Sequence, residues 1–441
     1  MSADGNDSST NFVDIESRLT QIEAKLRIGV GAPQHGPVVD ETAIDAVDVP
    51  SSVELQHGSL ADDTNFTFDY VPSPVAQTEG YHLPPLQDIL PIIEDYFVNF
   101  NSVVPLFHQG HFMRMLQEWY SSPFQREDPA SWAAINVVLA LSLRQGGSSK
   151  AADANQVVGR CINNAQSVLN SLMTRDQDLK GIQVVLGLVI LFQGTRNPRP
   201  ASILVATAVK LAHRLRLHTK HGRDQFDAHV ALERDCVFWI TYVLDKDVSM
   251  RAEEPYMQQD HDVDVDLPDL VTVDDRTGVM GDGRIWLNFF LCRIHLARIQ
   301  ARVYDWTYSV QAKKLPDGER QANTKRLDRM LRDWKRAIPD EFQPDMLPGA
   351  LPGVVTRHFT MLYFTQIHCL FMARRIFSHD AEWIRRLTEY SERYAIGYQP
   401  PPAEQEFQSP LPSSWPEDVN TSRACMRLFR LVNQSDSALA E

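Results

Sequence analysis

Two neighbouring stretches decide the fold of this chain: SILVATAVKLAHRLRLH at residues 202–218 and ERDCVFWITYVLDKDVSMRAEEPYMQQDHDVDVDLP at residues 233–268. In the first stretch, apolar residues recur at intervals of three and four, the spacing of one face of an amphipathic helix. These residues are Leu204, Ala208, Leu211, Ala212 and Leu215. The second stretch begins with charged residues, continues with a strongly apolar run and ends in an acidic, extended segment closed by Pro268. The pattern therefore predicts two helices followed by an acidic loop.

The order of residues in these stretches resembles the middle homology region of the fungal zinc-cluster transcription factors. In that family a helix ending in LGLH is followed by RRRVFWxxYxLDKxxSxRxGRPxxxxDxDxDVxLP. The resemblance covers roughly residues 83–435 and implies a regulatory domain, not a catalytic one. It also implies a nuclear regulator of RNA polymerase II genes of metabolism or specialised biosynthesis. The family pattern has a glycine after this arginine, Arg251 here, and we assign its position to Ala252. We therefore expect the local turn to differ.

The resemblance carries six positions over as family-signature residues and candidates for lining an effector pocket: His213, His218, Trp239, Asp245, Asp247 and Arg251. A purely structural role is the alternative for each. Asp247 and Arg251 are four residues apart, a spacing that favours an ion pair on one helix. His218 ends the first helix, where a histidine interacts favourably with the helix dipole. Trp239 falls on the apolar side of the second helix, so we predict that its indole is buried.

The composition indicates an ordinary globular protein, with 43% hydrophobic and 23% charged residues among 441. Its net charge of −14 repels the phosphate backbone of DNA. Basic residues do cluster between Lys210 and Arg223. We interpret this cluster as the solvated face of a helix, although a contact with nucleic acid is the alternative. The net charge therefore predicts that the chain as a whole binds DNA poorly.

The five cysteines are dispersed, and no two of them lie within 50 positions of each other. No CxxC pair is present, so the sequence lacks the spacing of a local zinc cluster. We predict buried thiols, and no cofactor, metal or catalytic residue. In the resembling family, zinc and DNA are bound by an N-terminal six-cysteine cluster, which we expect to be missing here.

The N-terminal part is predicted to be disordered at residues 1–14 and to form a short coiled coil at 15–27. Ile15, Leu19, Ile22 and Leu26 are spaced four, three and four apart, as in an a/d seam of two heptads. A frayed amphipathic helix is the alternative, because such short helices are marginal alone. In the resembling family this coil dimerises the protein, which implies a homodimer or heterodimer. Residues 28–82 are rich in Gly, Pro, Asp, Ser and Thr and are predicted to be a disordered linker.

Residues 83–441 are predicted to form an irregular all-α domain of about a dozen helices, whose core can split into two lobes. The stretch 181–192 is apolar all round and should be central. Val263–Leu267, where Asp and Val alternate, is the one candidate strand. The family usually continues beyond SALAE, so we expect this domain to be truncated at its C-terminus.

Two other patterns suggest metal sites. The acidic run at residues 260–266 contains alternating carboxylates that could hold calcium, but it lacks the glycine and terminal glutamate of an EF-hand loop. His108 and His111, like His218 and His221, form HxxH pairs without the glutamate or third ligand of a zinc site. We interpret the acidic run and both HxxH pairs as structural.

Three functions remain open at this stage. The first is a fungal transcription regulator that responds to a small-molecule effector. The second is a DNA-binding-deficient interaction or dominant-negative dimerisation partner. The third is an all-α metabolite-binding protein or enzyme, but the sequence contains no GxGxxG, GxxxxGK[ST], GxSxG or HExxH motif. The longest apolar run, Val184–Phe192, is far shorter than the ~20 residues of a bilayer span, so no membrane partner is expected.

Overall fold

The computed structural model describes residues 81–121, 128–145, 151–174, 179–193, 199–268, 278–281, 285–347, 351, 353–378 and 415–431. All of them belong to one structural unit. The predicted coiled coil, with Ile15, Leu19, Ile22 and Leu26, lies outside the described residues. The same is true of the predicted disordered segment 1–14 and of the predicted linker as far as residue 80.

The described residues are mainly helical, which confirms the predicted all-α class. The α-helices are α1 Leu86–Asp95, α2 Gln109–Ser121, α3 Pro129–Gln145, α4 Ala151–Ser167, α5 Leu169–Thr174, α6 Leu179–Gln193, α7 Arg199–Arg214, α8 Ala228–Ala252, α9 Phe289–Val303, α10 Val310–Lys313, α11 Asp317–Ala337, α12 Gly353–Ser378 and α13 Trp415–Leu431. Single π-helical turns continue α1 and α9, at Tyr96–Phe100 and Tyr304–Tyr308. Short 3-10 turns lie at Arg223–Gln225, Asp260–Asp262 and Asp340–Phe342.

The predicted strand at Val263–Leu267 is wrong. The segment is extended but has no ladder partner, and it packs against helix ends instead. The main-chain N of Asp264 donates to the main-chain O of His218 at 3.2 Å. Val265 is buried against the core while Asp264 and Asp266 point outward. Alternation therefore arises here because one side of an extended chain covers helices. The strands among the described residues are β1 Val279–Met280 and β2 Trp286–Leu287, which pair antiparallel.

The first hydrophobic cluster is built mainly by helices α1 to α8, with α6 at its centre. Every α6 residue from Gly181 to Val189 is buried, which confirms the predicted central helix. Helices α3 and α6 approach so closely at Gly187 that a Cβ there would lie 2.2 Å from Val137 Cγ1. Because no real Cβ tolerates that distance, glycine is required for this helix contact.

The second cluster is built by α9, α11, α12 and α13 around Phe289, Trp334 and Phe359. The Trp334 indole donates to the main-chain O of Cys292 at 3.0 Å. Helix α9 lies between the two clusters, because Phe290 belongs to the first while its neighbour Phe289 belongs to the second. The domain therefore has two hydrophobic cores, and α9 contributes side chains to both.

The cysteines contribute to these cores as predicted. All five are buried with free thiols: Cys161, Cys236, Cys292, Cys369 and Cys425. Burial raises the pKa of each, and that of Cys425 reaches about 12. A thiol that stays protonated at neutral pH is a poor nucleophile and behaves as a small apolar group. Within the part of the chain that is described, no helix has the length and apolar character needed to cross a bilayer.

Candidate functional site

Helix α8, which carries most of the signature, has well-defined ends. Asp227 caps its N-terminus by accepting hydrogen bonds from the main-chain N–H groups of His229 and Val230, both at 3.0 Å. Its C-terminus ends in a Schellman motif, in which the main-chain N of Glu254 donates to Ser249 O at 2.9 Å. Between its caps, α8 is buried almost continuously from Asp235 to Met250, because it packs against both cores.

The family's glycine was expected to correspond to Ala252 in the turn after α8, and the structure corrects that assignment. Ala252 is the last helical residue, and it is Glu253 that adopts the left-handed conformation, with φ 56° and ψ 31°. Glycine is the usual residue at this position of a Schellman motif because it has no Cβ to clash. The departure from the family's glycine therefore falls on Glu253, and the turn is retained with a strained glutamate.

The centre of the site is a buried ion pair between neighbouring residues of α8. Asp245 is fully buried and Lys246 is 2% exposed, with Nζ of Lys246 3.0 Å from Oδ2 of Asp245. The Asp245 carboxylate also accepts the main-chain N–H groups of Met257 and Gln258, at 3.0 and 2.9 Å. The Lys246 ammonium donates in return to the main-chain O of Gln258. The pair thus holds the segment after α8 against the helix.

Two tyrosine rings surround the Lys246 ammonium. Its Nζ lies 4.3 Å from the centroid of the Tyr242 ring and 3.9 Å from that of the Tyr256 ring. Both distances fall within the range of a cation–π interaction. Burial lowers the pKa of Lys246, whereas Asp245 and Asp260 favour its charged form.

The two tyrosine hydroxyls extend this cluster to further carboxylates. Tyr242 donates to Asp260 Oδ1 at 2.6 Å, and Tyr256 donates to Asp305 Oδ1 at 2.8 Å. Burial and the adjacent carboxylates raise the pKa of both phenols, so both stay protonated. Arg302 lies 3.3 Å from Asp260 and 3.7 Å from Asp305, which offsets part of the negative charge.

Asp247 points from α8 toward α9. Its carboxylate forms an ion pair with Arg293 and accepts a hydrogen bond from Gln300 Nε2 at 3.0 Å. The predicted partner, Arg251, lies exposed on the last turn of α8, where its Nε donates to the main-chain O of Asp247 at 3.4 Å. The ion pair between Asp247 and Arg293 is therefore a tertiary contact that links α8 to α9.

His213 and His218 lie beside this network. His213 Nε2 is 2.6 Å from Oε1 of Gln258, the residue whose main chain contacts Asp245 and Lys246. The ring of His218 lies 4.7 Å from that of His213, and burial together with His213 lowers the pKa of His218. Gln258 thus joins His213 to the buried pair.

Trp239 is 1% exposed, which confirms the prediction that it is buried. Its Nε1 donates to the main-chain O of Asp266 at 2.8 Å, so the indole anchors the end of the acidic loop. The guanidinium of Arg298 lies 5.1 Å from the ring centroid. Two basic residues, Lys220 and Arg223, pair with the Asp266 carboxylate on the surface, at 2.6 and 3.7 Å.

The HxxH pair at His108 and His111 acquires a third histidine from α8, which the spacing could not reveal. The ring of His229 lies 5.3 Å from that of His108, and His111 Nδ1 is 2.7 Å from Glu233 Oε2. Glu233 Oε1 also accepts the main-chain N–H of His108 at 3.0 Å and Gln183 Nε2 at 2.9 Å. Across the residues described, no group of three or more His, Cys, Asp or Glu side chains is arranged to hold a metal ion.

The predicted signature residues therefore separate into three groups. His213 and Asp245 share one network through Gln258, Asp247 faces α9, and Trp239 anchors the acidic loop. Four residues that supply most of the partners were not predicted from the sequence: Tyr256, Gln258, Arg293 and Asp305. The sequence does offer one signal for Tyr256 and Gln258, because both are polar residues directly after a charged helix end.

The fungal specific transcription factor domain matches residues 93–336, more than half of the chain. An ABC-transporter-regulating transcription factor of Aspergillus oryzae is 36% identical over 313 residues, which cover 70% of this chain and 35% of the relative. The protein of the same name in Aspergillus fumigatus is 35% identical, with the same coverage of 70% and 35%.

A more distant relative is the Fusaridione A cluster transcription factor of Fusarium heterosporum. It is 25% identical over 357 residues, which cover 79% of this chain and 63% of the relative. The chain spans about a third of the length of the two Aspergillus relatives, 35% in each case. No solved structure matches. Because the family match covers more than half of the chain, from α1 into α11, this chain belongs to the fungal specific transcription factor domain family.

Proposed function

We propose that this chain is the regulatory domain of a fungal transcription regulator that acts in the nucleus on RNA polymerase II genes. The observation that carries the proposal is the family match over residues 93–336. The relatives' names support a role in metabolism, since two regulate ABC transporters and one belongs to the Fusaridione A cluster. We assign the chain no catalytic activity and no cofactor of its own.

The buried charges suit a regulatory role better than a catalytic one. Asp245, Lys246 and Asp247 are engaged by protein groups that hold the loop after α8 and helix α9 in place. A buried pair contributes little net stability relative to apolar side chains, but one arrangement satisfies it far better than others. Such a network therefore favours a defined position of α9, a helix that contributes to both cores.

Two further parts of the proposal concern partners. DNA would be contacted through a zinc-cluster domain of the whole protein and not through the acidic residues of this chain. The seam of Ile15, Leu19, Ile22 and Leu26 would dimerise the protein, with an identical chain or a related one.

A tethering experiment tests the regulatory function. The full chain is fused to a heterologous DNA-binding domain and expressed in yeast with a reporter that has intermediate basal transcription. We expect the fusion to raise or lower reporter output relative to the DNA-binding domain alone. A matched fusion carrying Trp239→Ala should lose the effect because its regulatory domain is not packed. Equal output from the fusion and the DNA-binding domain alone, at equal protein levels, would contradict the proposal.

A further inference from the structure

Helix α11 presents a stripe of basic side chains to solvent. Its buried residues occupy one face, which packs in the second core. Four exposed cations follow one another on the opposite face, at spacings of four, three and four residues: Lys325, Arg329, Arg332 and Arg336. With 3.6 residues per turn and a rise of 1.5 Å per residue, these four positions lie within about 60° around the helix and span about 16 Å along it. We call this row of four cations the α11 stripe.

Three of the four cations are not neutralised by the described part of the protein. Lys325, Arg329 and Arg332 form no hydrogen bond or ion pair with another residue that the structure describes. Arg336 lies 3.8 Å from Asp333 in an exposed pair. Like charges three or four residues apart destabilise a helix. Helix stability therefore does not account for the stripe, since charges of alternating sign would serve it better.

Most of the negative charge of the chain lies outside this domain. Residues 1–80 contain 14 acidic and three basic side chains, so they carry −11 of the net charge of −14. Residues 81–441 are left with a net charge of only −3. Repulsion of an anion therefore arises mainly from the first 80 residues, and a local cationic surface on the domain can attract one.

The stripe fits a phosphate backbone better than an acidic protein. None of the large apolar side chains that are exposed in the described residues lies on α11. A protein partner usually binds through buried aromatic or apolar anchors, which this face does not offer. Protein–DNA interfaces are more polar and much more positively charged. Three of the four cations are arginines, whose planar guanidinium can donate two parallel hydrogen bonds to one phosphate.

We propose that the α11 stripe binds the phosphate backbone of duplex DNA without reading its sequence. Duplex DNA carries one negative charge per about 1.7 Å of its axis, so a row of cations meets several phosphates on any sequence. Backbone contacts position a protein but carry no base information.

The biological role of this contact rests on the proposed function, whereas the binding itself does not. A zinc-cluster domain of the whole protein would select the site, and the stripe would hold the regulatory domain against the neighbouring backbone. A weak contact is sufficient there, because tethering through a short linker gives an effective concentration on the order of millimolar.

The salt dependence of binding tests the proposal. Fluorescence anisotropy of a short labelled duplex measures binding by the purified full chain at a series of salt concentrations. Each phosphate contact contributes about −0.9 to the slope of log K against log salt, so four contacts predict a slope of about −3.6. We expect a dissociation constant of about 10⁻⁵–10⁻⁴ M at about 50 mM salt, and equal affinity for two duplexes of unrelated sequence. No binding at about 100 µM protein, a slope near zero, or a tenfold preference for one duplex would overturn the proposal.

Substitutions locate the contact on α11. Arg329→Gln and Arg332→Gln should each weaken binding to both duplexes equally and reduce the size of the slope by about one. Arg329→Lys keeps the charge and should keep the slope. Arg114→Gln is the matched control, because Arg114 is an exposed arginine of α2 and its loss changes the net charge by the same amount. Stripe variants that bind DNA like this control would refute the assignment.

Polyglutamate tests an acidic protein as the partner. We expect polyglutamate to displace the duplex only when its carboxylates are well in excess of the DNA phosphates. Displacement at equal or lower charge concentration would favour an acidic protein and overturn the proposal.

Circular dichroism establishes that each variant is folded, and Lys325→Gln, with the same expected change in slope, replaces any variant that is not. Failure of the two proposals is distinguishable. A chain that binds DNA through the stripe but leaves reporter output unchanged contradicts only the regulatory function. An active fusion whose chain does not bind the duplex contradicts only the DNA contact.

Discussion

The buried Asp245–Lys246 pair provides the sharpest test of how this domain is held together. Asp245→Asn preserves shape but leaves the Lys246 ammonium, 2% exposed, without its carboxylate. Removing one partner of a buried pair costs about 3–5 kcal/mol. Since a whole domain is stable by only ~5–15 kcal/mol, we expect a loss of at least about 3 kcal/mol of unfolding free energy.

The partner substitution should cost less. In Lys246→Met the Asp245 carboxylate keeps two main-chain donors, from Met257 and Gln258. What is lost is the hydrogen bond to Gln258 O and two cation–π contacts, each worth roughly 0.5–2 kcal/mol. We expect a loss of about 2 kcal/mol. The double variant carries no charge at position 245 or 246 and should lose less than the sum of the single variants by at least about 2 kcal/mol.

Urea unfolding followed by circular dichroism measures these free energies, provided the slope with denaturant is unchanged. Asp333→Asn is the matched control, because its exposed pair with Arg336 spans 3.8 Å on the surface of α11. Such pairs contribute about 0–1 kcal/mol. The reasoning is refuted if Asp245→Asn resembles the surface control, or if the two single effects simply add.

Three other outcomes are expected. Trp239→Ala should lose about 3–5 kcal/mol, and a variant that melts within a few degrees of the parent would show that the indole is not a core residue. Glu253→Gly should raise the unfolding free energy by about 0.5–1 kcal/mol, because glycine adopts the left-handed conformation without strain. The helical control Ala252→Gly should lower it by a similar amount. Changes of the same sign in urea unfolding would contradict this reasoning. Because the pKa of His358 is lowered from 6.5 to about 3, this residue binds more protons in the unfolded chain between these values, so it should contribute a loss of stability of about 1.4 kcal/mol per pH unit below 6.5. His358→Phe should reduce that slope by one proton, and an unchanged slope would mean that His358 does not titrate as described.

Local patterns in the sequence were sufficient to predict much of the fold. The all-α class, the central helix at 181–192 and the burial of Trp239 follow from periodicity and from the family resemblance. The strand at Val263–Leu267 was wrong because alternation records which side of an extended chain is covered, not whether a ladder partner exists.

The partners of the site residues could not be predicted in the same way. Arg293 is 46 residues from Asp247, and His108 is 121 residues from His229. Contacts at such separations depend on how helices pack, and a single sequence carries no direct record of that. The pair Asp247 and Arg251 illustrates the limit, because the spacing allowed an ion pair while packing supplied Arg293 from another helix.

Arg293 connects the signature network with the boundary between the two hydrophobic cores. Its guanidinium pairs with Asp247 of α8, and the same residue lines the space between the two cores. Asp247 in turn accepts from Gln300, one and a half to two turns further along α9. A single side chain of α9 therefore joins the buried charges of α8 to the boundary between the two hydrophobic cores.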